Sequence, residues 1–206
     1  MSLRFKFCYA AGICLLVALA VWSDRQDDCG PFPDWRTSPY VLPYPVGTTY
    51  YLNQGNCSTG GHHGPYKYAY DFAMPIGTTV TAVRAGVVAE IRMKFRNGQA
   101  GEGESNWIKI RHADGTIAAY SHLTENGALV KIGDRVVAGQ PIGLSGNSGN
   151  TGGLPHLHFH LCPCSEPVDC GTLPVTFCNT EANPHGLQAG RSYTALPYGA
   201  GGSAGK

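Results

Sequence analysis

Runs of strand-forming residues, separated by turn residues, dominate the middle of this 206-residue chain. Between positions 78 and 164 they read TTVTAVRAGVVAEIRMKF, NWIKIRHADGTIAAYSHL, ALVKIGDRVVAGQPIGLSG and HLHFHLCPC. Short β-rich runs punctuated by glycine, asparagine and aspartate are typical of antiparallel sandwiches and barrels. Asp114-Gly115 lies between two of the runs and predicts a hairpin that pairs WIKIRH with TIAAYSHL. The sequence therefore predicts a mostly β, antiparallel sandwich-like or barrel-like fold without a long amphipathic helix.

The composition fits one globular domain and gives no sign of a strongly charged partner. Hydrophobic residues make up 43% of the chain and charged residues 14%, enough for a sizeable core. Lysine and arginine total 15 against 14 acidic residues. Because a nucleic-acid groove or a polybasic membrane patch needs an excess of positive charge, we expect no nucleic-acid partner.

The first 23 residues have the pattern of a secretory signal peptide. Arg4 and Lys6 precede an apolar run from Phe7 to Trp22. Ala18 and Ala20, or Val21 and Ser23, offer small residues for a processing site. The run is shorter than the ~20 residues that a membrane-spanning helix needs. We therefore expect export to the periplasm or the cell exterior, with no stable membrane insertion after cleavage. A proline-rich lead over residues 24–60 would follow, then a β domain over 61–165 and an extension over 166–206 whose glycine-rich end is disordered.

Export changes the interpretation of the cysteines. Two of the eight, Cys8 and Cys14, would leave with the signal peptide, and an even number would remain in an oxidising compartment, which predicts disulfides. A zinc cluster could instead use the last four cysteines, Cys162, Cys164, Cys170 and Cys178. It is less favoured because C-x-C does not match the paired C-x-x-C of common zinc modules. The pairing itself stays open. The six remaining cysteines are Cys29, Cys57, Cys162, Cys164, Cys170 and Cys178.

The segment HLHFH places three imidazoles at alternate positions. In a strand, His156, His158 and His160 share one face, and Leu157 and Phe159 share the other. Alternate Cα atoms lie about 6.6 Å apart, so one histidine can bind a metal while its neighbour reaches the water beside it. We expect His160, one step further along, to lie at a solvent-facing rim.

Other polar residues complete a candidate zinc site. His62, Asp71 and His158 would supply two imidazoles and one carboxylate and leave one position for water, as a catalytic zinc site requires. His63 is an alternative first ligand. His122, at the end of the predicted hairpin, and His156 would then be available for proton transfer. Taken singly, a His-x-His pair on a strand is more often surface polarity, so the prediction depends on the combination.

Three segments, in this order, resemble the lysostaphin and LytM group of zinc metallopeptidases, the M23 peptidases. They are YAYDFAMPIGTTVTAVRAGVV, YSHL and VKIGDRVVAGQPIGLSGNSGNTGGLPHLHFHL, preceded by a histidine, and they extend the resemblance over about residues 50–161. It implies a LytM-type β domain at 61–165 that binds one zinc ion per chain and cuts peptides of bacterial peptidoglycan. It assigns the zinc ligands to His62, Asp71 and His158, and the catalytic histidines to His122 and His156.

One departure from that family concerns the first ligand. Well-known members carry it four residues before the aspartate, where this chain has Lys67, whereas His62 lies nine residues before Asp71. A branch of the family with YAxDFAMP wording has similar spacing, which implies an intact site. A catalytically silent envelope protein of the same fold, which binds peptidoglycan or regulates another hydrolase, is the alternative. A biotinyl-type or lipoyl-type carrier using Met93-Lys94 is less consistent with export. The scissile bond and the oligomeric state stay open.

Overall fold

Strands account for nearly all the regular structure of the described residues, 29–101 and 103–199, in a computed structural model of the chain. Only three short helical turns accompany them in that part, the 3-10 turns Trp35–Thr37 and Gly64–Tyr66 and the single α-helical turn α1 (Pro167–Cys170). The strands are β1 (Thr49–Gln54), β2 (Tyr70–Ala73), β3 (Thr79–Thr81), β4 (Gly86–Arg92), β5 (Trp107–Arg111), β6 (Ile117–Ser121), β7 (Leu123–Ala128), β8 (Arg135–Val136), β9 (Pro141–Ser145), β10 (Leu157–Cys162) and β11 (Ser192–Thr194).

The strands form two antiparallel sheets. The larger has the order β11-β1-β2-β10-β6-β5-β4-β8, and the smaller has the order β3-β9-β7. Along the central strands, alternate side chains such as Phe72, Ile108, Tyr120 and Phe159 are fully buried in one hydrophobic cluster. The polar residues between them face the other side of the sheet. The predicted mostly β, antiparallel fold is confirmed.

The predicted hairpin is present as β5 and β6. Trp107 pairs with Ser121 and Arg111 with Ile117, in the expected antiparallel register. Gly115 has a φ of +88°, which a residue with a Cβ adopts only at a cost, and so the turn requires glycine there. The Asp114 carboxylate accepts hydrogen bonds from the amide and the hydroxyl of Thr116. The register of this hairpin sets the end of β6 at Ser121, so His122 follows directly after the strand.

Segments on both sides of the central strands pack into the same core. In residues 29–60 of the lead, the Trp35–Thr37 turn precedes β1, and Leu42 and Tyr44 are buried. Near the other end, Phe177 is fully buried and β11 pairs with β1. The compact unit to which these residues belong spans 31–206. The division at residues 60 and 165 stays a prediction.

Two other predictions fall on residues beyond the described ones. The signal peptide, with Cys8 and Cys14, lies outside residues 29–101 and 103–199, and so does most of the glycine-rich tail. Within those ranges, no helix has the length and apolar character needed to cross a membrane.

The prediction of disulfides is confirmed. Cys164 and Cys170 are bonded to each other, and Cys29 and Cys57 are also in the disulfide state. Cys162 is instead a buried thiol at the end of β10, within hydrogen-bonding distance of the Cys164 carbonyl oxygen. Burial raises the pKa of this thiol, so it stays protonated near neutral pH. Disulfides are therefore present as predicted, and Cys162 is a free thiol that β10 holds away from solvent.

Thiol titration tests this difference. Protein from residue 24 onward, produced in an oxidising compartment, should react with a thiol reagent at Cys162 only after denaturation, because that side chain is fully buried. Cys162→Ala should lower the number of thiols found in the denatured, unreduced chain by one. An unchanged count would mean that Cys162 is bridged.

Candidate metal centre and active site

Strand β10 lies between β2 and β6 and fixes the orientation of the HLHFH residues. Leu157 and Phe159 point into the core, whereas His158 and His160 point to the opposite face, as the alternation predicts. His158 pairs with Asp71 of β2 on one side. The candidate ligands from distant parts of the sequence are therefore adjacent because of strand register.

His62, Asp71 and His158 form a tight cluster. One ligand atom from each lies within 4.8 Å of the other two. His62 Nε2 is 3.2 Å from Asp71 Oδ2, and His158 Nδ1 is 2.9 Å from Asp71 Oδ1. Both His62 and Asp71 are buried. This is the one group of three or more metal-binding side chains found in the described residues.

The segment before β2 decides which of two adjacent histidines reaches the cluster. His62 is 3% exposed, and its Nδ1 lies 2.9 Å from the Gly55 carbonyl oxygen. Since a carbonyl only accepts, Nδ1 donates its proton to Gly55, and Nε2 is the ring nitrogen that faces Asp71. His63 is exposed and begins the Gly64–Tyr66 turn, which spans the longer spacing before Asp71. The structure thus places His62, rather than His63, beside the aspartate.

His122 and His156 lie together next to this cluster. Their ring centroids are 4.7 Å apart, and His156 Nε2 is 3.7 Å from Asp71 Oδ1. The two Nδ1 atoms lie 2.7 and 2.8 Å from the carbonyl oxygens of Ser148 and Leu154, respectively. These bonds place the proton of each neutral ring on Nδ1 and leave Nε2 as an acceptor.

The backbone at His122 is unusual. Its φ is +62°, in the left-handed region, where residues other than glycine are uncommon. The kink separates β6 from β7 and is held by the hydrogen bond from the His122 amide to the Ser105 hydroxyl. Such backbone strain is typical of functional sites, because it positions a side chain that a regular strand would direct elsewhere.

The surroundings of these groups perturb their protonation. Burial alone would raise the pKa of Asp71, but hydrogen bonds and charges from His158 and His62 lower it well below its usual range. Burial, reinforced by His158 and His156, lowers the pKa of His122 to about 3. Near neutral pH, the cluster therefore holds an ionised carboxylate beside a neutral His122 ring.

His160 does not lie at a solvent-facing rim, and that prediction is wrong. The side chain is buried, with its Nδ1 3.1 Å from His158 Nε2. The Tyr66 ring, with its centroid 5.5 Å from that of His160, covers it. Burial, with the charges of His158 and Lys109, lowers the pKa of His160 well below its ordinary value. The alternation placed His160 on the correct face, but the sequence did not reveal what covers that face.

All five candidate residues line one groove of about 940 Å³. Its floor is the histidine-bearing face of the large sheet, where β6 contributes only the small side chains of Ala119 and Ser121. The far wall carries Lys109, whose ammonium group pairs with Glu90 and Glu166. Glu166 comes from the loop that the Cys164–Cys170 disulfide closes. The remaining lining residues are Asn53, Gln54, Gly60, Gly61, Tyr66, Arg92, Gly103, Ser105, Trp107, Asn150, Thr151, Gly152, Leu154, His160 and Pro167.

The glycine-rich loop after β9 contacts both candidate catalytic histidines. Its carbonyl oxygens at Ser148 and Leu154 orient the two candidate catalytic histidines. Gly146 lets the loop approach closely, since a Cβ there would overlap the backbone of Leu123 and Thr124. The close approach requires a glycine, which can be recognised in the sequence. A contact to a backbone carbonyl requires no particular side chain and cannot be recognised there.

The chain is similar to several known proteins. Peptidoglycan DD-endopeptidase ShyA of Vibrio cholerae is 43% identical over 99 residues, which cover 48% of this chain and 21% of that protein. Glycyl-glycine endopeptidase ALE-1 of Staphylococcus capitis is 38% identical over 136 residues, which cover 66% of this chain and 31% of that protein. A solved catalytic domain of lysostaphin from Staphylococcus simulans is 34% identical, with a TM-score of 0.42, covering 65% of this chain and 84% of that one.

The chain spans less than two fifths of the length of the first curated relatives that it matches. The sequence profile of Peptidase family M23 matches residues 65–170, just over half of the chain. That match includes Asp71, His122, His156 and His158, while His62 lies three residues before it. On this match, the chain is a member of peptidase family M23.

Proposed function

We propose that this protein is an exported zinc endopeptidase that hydrolyses peptide bonds in bacterial peptidoglycan. The observation that carries the proposal is the placement of His62, Asp71 and His158 beside two oriented histidines in one groove. Peptidases of this kind need an open metal site next to groups that transfer protons, and the residues that would supply both come from distant parts of this chain.

The donor set fits zinc. Two imidazole nitrogens and one carboxylate are the ligands of an open, catalytic zinc site, and such a site keeps its remaining position for water. His62 would bind through Nε2, since its Nδ1–H donates to Gly55, and His158 would bind through Nδ1, the atom that faces Asp71. When bound, zinc acts as a Lewis acid that activates water and polarises the carbonyl of the scissile amide.

His122 and His156 supply the proton chemistry. Their Nδ1–H groups are held by backbone carbonyls, so each Nε2 is left to exchange a proton in the groove. A positioned imidazole can pass a proton to the leaving amine, and in its protonated form it can stabilise the developing oxyanion. Both rings are already oriented, so neither has to rotate before it reacts, and little conformational entropy is lost on the way to the transition state.

Peptidoglycan peptides are the proposed substrate because one relative, ShyA, is named as a peptidoglycan endopeptidase. ShyA is named for DD-endopeptidase activity and ALE-1 for glycyl-glycine endopeptidase activity, so the bond cut by this chain needs a direct assay. Disulfides at Cys164–Cys170 and at two further cysteines favour an oxidising location, the periplasm or the cell exterior.

Digestion of purified sacculi tests the proposal. Protein from residue 24 onward, loaded with zinc, should release soluble muropeptides from sacculi of at least one chemotype, and a chelator should stop the release. Mass analysis of the products identifies the bond. Sedimentation with sacculi but no release from any chemotype would instead support the silent, peptidoglycan-binding alternative.

His160 is expected to position the ligand His158. Ligating histidines usually donate their second ring N–H to a fixed acceptor, and His160 Nδ1 lies 3.1 Å from His158 Nε2. His160→Ala should therefore weaken zinc binding by about 10- to 100-fold, the usual effect of removing such a partner. Competition with a chromophoric chelator at fixed pH measures this affinity without reference to activity.

His160→Gln is the rescue variant, because its amide oxygen offers an acceptor in a similar place. It should recover most of the lost affinity. His185→Ala, which removes an exposed histidine elsewhere in the chain, is the matched control and should bind zinc as the parent does. Parent-like affinity in His160→Ala would show that His158 keeps its orientation without this contact.

A further inference from the structure

One row of paired residues crosses the large sheet from the candidate metal centre to an arginine. In this row Asp71 pairs with His158, His158 with Ser121, Ser121 with Trp107, and Trp107 with Arg92. Neighbouring strands lie about 4.8 Å apart, so the backbones at His158 and Arg92 are about 14 Å apart, measured across the strands. All five residues line the groove. A peptide that crosses the small side chains of β6 would therefore connect the two ends.

The Arg92 guanidinium is held in one orientation. Its central carbon lies 3.2 Å from the centroid of the Trp107 ring, which is stacking distance. Nε donates to the Ser105 carbonyl oxygen at 2.8 Å, and one Nη donates to the Gly103 carbonyl oxygen at 2.7 Å. Both acceptors are neutral. The stacking and the two hydrogen bonds fix the side chain without cancelling its charge.

Arg92 differs from the other groove cation in its partners. Lys109 is paired with the carboxylates of Glu90 and Glu166. Arg92 makes no ion pair with any carboxylate in residues 29–101 and 103–199, and its second Nη makes no hydrogen bond there. This arginine therefore offers the groove a fixed positive charge with unused donors, an arrangement suited to a carboxylate.

We infer that Arg92, supported by Trp107, binds a carboxylate of the substrate peptide. The inference rests on the proposed function and specifies which peptides the groove prefers. The guanidinium lies over the Trp107 ring on β5, two to three strand spacings from His158, or roughly 10 to 14 Å. An extended chain rises about 3.3 Å per residue, so this span corresponds to a carboxylate about three to four residues from the cleaved bond. Peptides that carry a free carboxylate at that distance are the preferred class, and the corresponding amides are poorer substrates.

The test compares soluble cross-linked muropeptides with the same material after its carboxylates have been converted to amides with a carbodiimide and ammonium. Amidation should lower kcat/KM of the parent enzyme about tenfold, the scale of a charge-assisted hydrogen bond. Arg92→Gln should cut the untreated substrate about as slowly as the parent cuts the amide, and amidation should then have little further effect. If the effects of Arg92→Gln and of amidation on kcat/KM are not additive, the arginine and the substrate carboxylate interact directly.

Two further variants separate recognition from support of the fold. Arg92→Met keeps an unbranched stem against Trp107 and repeats the loss of charge if Arg92→Gln folds poorly. Arg135→Gln removes an equal charge from an exposed position on β8, outside the groove, and should keep the preference of the parent. Thermal melting of each variant reports on folding.

The outcomes are distinct. An Arg92 variant that slows both substrates equally would show that the arginine only supports the segment around Gly103 and Ser105, and this would overturn the inference. A parent enzyme that cuts both substrates equally well would overturn it too, while leaving the proposed function intact. If the parent cuts no muropeptide of any chemotype, the proposed function fails and the inference fails with it.

Discussion

His158→Ala is expected to reduce the zinc content of the protein from about one equivalent to below about a tenth, and to abolish peptidoglycan hydrolysis. His158 is one of three proposed donors, and only His62 and Asp71 would remain, too few for a stable protein site. Elemental analysis after equilibration with buffered zinc gives the metal content. Release of muropeptides from sacculi gives the activity of the same samples.

Two controls make this result specific to ligation. His63→Ala removes the exposed histidine next to His62 and should leave zinc binding intact. Melting curves of the metal-free proteins show whether His158→Ala still folds, since the substitution also removes the hydrogen bond between His158 and Asp71. Stoichiometric zinc in a folded His158→Ala protein would remove His158 from the proposed ligand set.

The fold could be predicted from the sequence because period and turn chemistry act locally. Alternation in HLHFHL placed Leu157 and Phe159 in the core, and Asp114-Gly115 specified the β5–β6 hairpin. The location of the candidate site could also be predicted from the sequence. His62, Asp71 and His158 have metal-donor side chains, which a β core rarely buries unless they have a role there. Their ligand role itself stays a proposal until metal is measured.

The contacts that could not be predicted from the sequence depend on strand register and on backbone atoms. His160 was expected to face solvent because no residue near it in the sequence indicates that the Tyr66 ring covers it. The carbonyl oxygens that orient His122 and His156 belong to Ser148 and Leu154, and a carbonyl has no signature in the sequence. Arg92 likewise joins the groove only through the pairing of four strands. Such contacts are set by tertiary structure, which short-range patterns do not encode.

His156→Ala is expected to keep its zinc and its fold while losing about 10²- to 10⁴-fold in hydrolysis rate, the usual contribution of a positioned acid or base. His156 lies 3.7 Å from Asp71 Oδ1 through Nε2, close enough to act beside the ligands. Its Nδ1 is bonded to the Leu154 carbonyl, so the ring meets the groove through the opposite nitrogen. Steady-state hydrolysis of a soluble muropeptide, together with metal analysis, measures both quantities.

His122 should behave in the same way, but its backbone requires a second variant. Any residue with a Cβ is strained at a φ of +62°, by about 1 to 3 kcal/mol. Alanine keeps this strain and loses the hydrogen bond to the Ser148 carbonyl, so His122→Ala is expected to lose stability as well as rate. Asparagine tolerates this conformation, so His122→Asn separates the loss of the imidazole from the backbone strain. Both variants should bind zinc and show the same 10²- to 10⁴-fold loss of rate. Zinc loss in His156→Ala with zinc retained in His158→Ala would exchange their roles, and near-normal hydrolysis by His156→Ala and His122→Asn would exclude both imidazoles from the reaction.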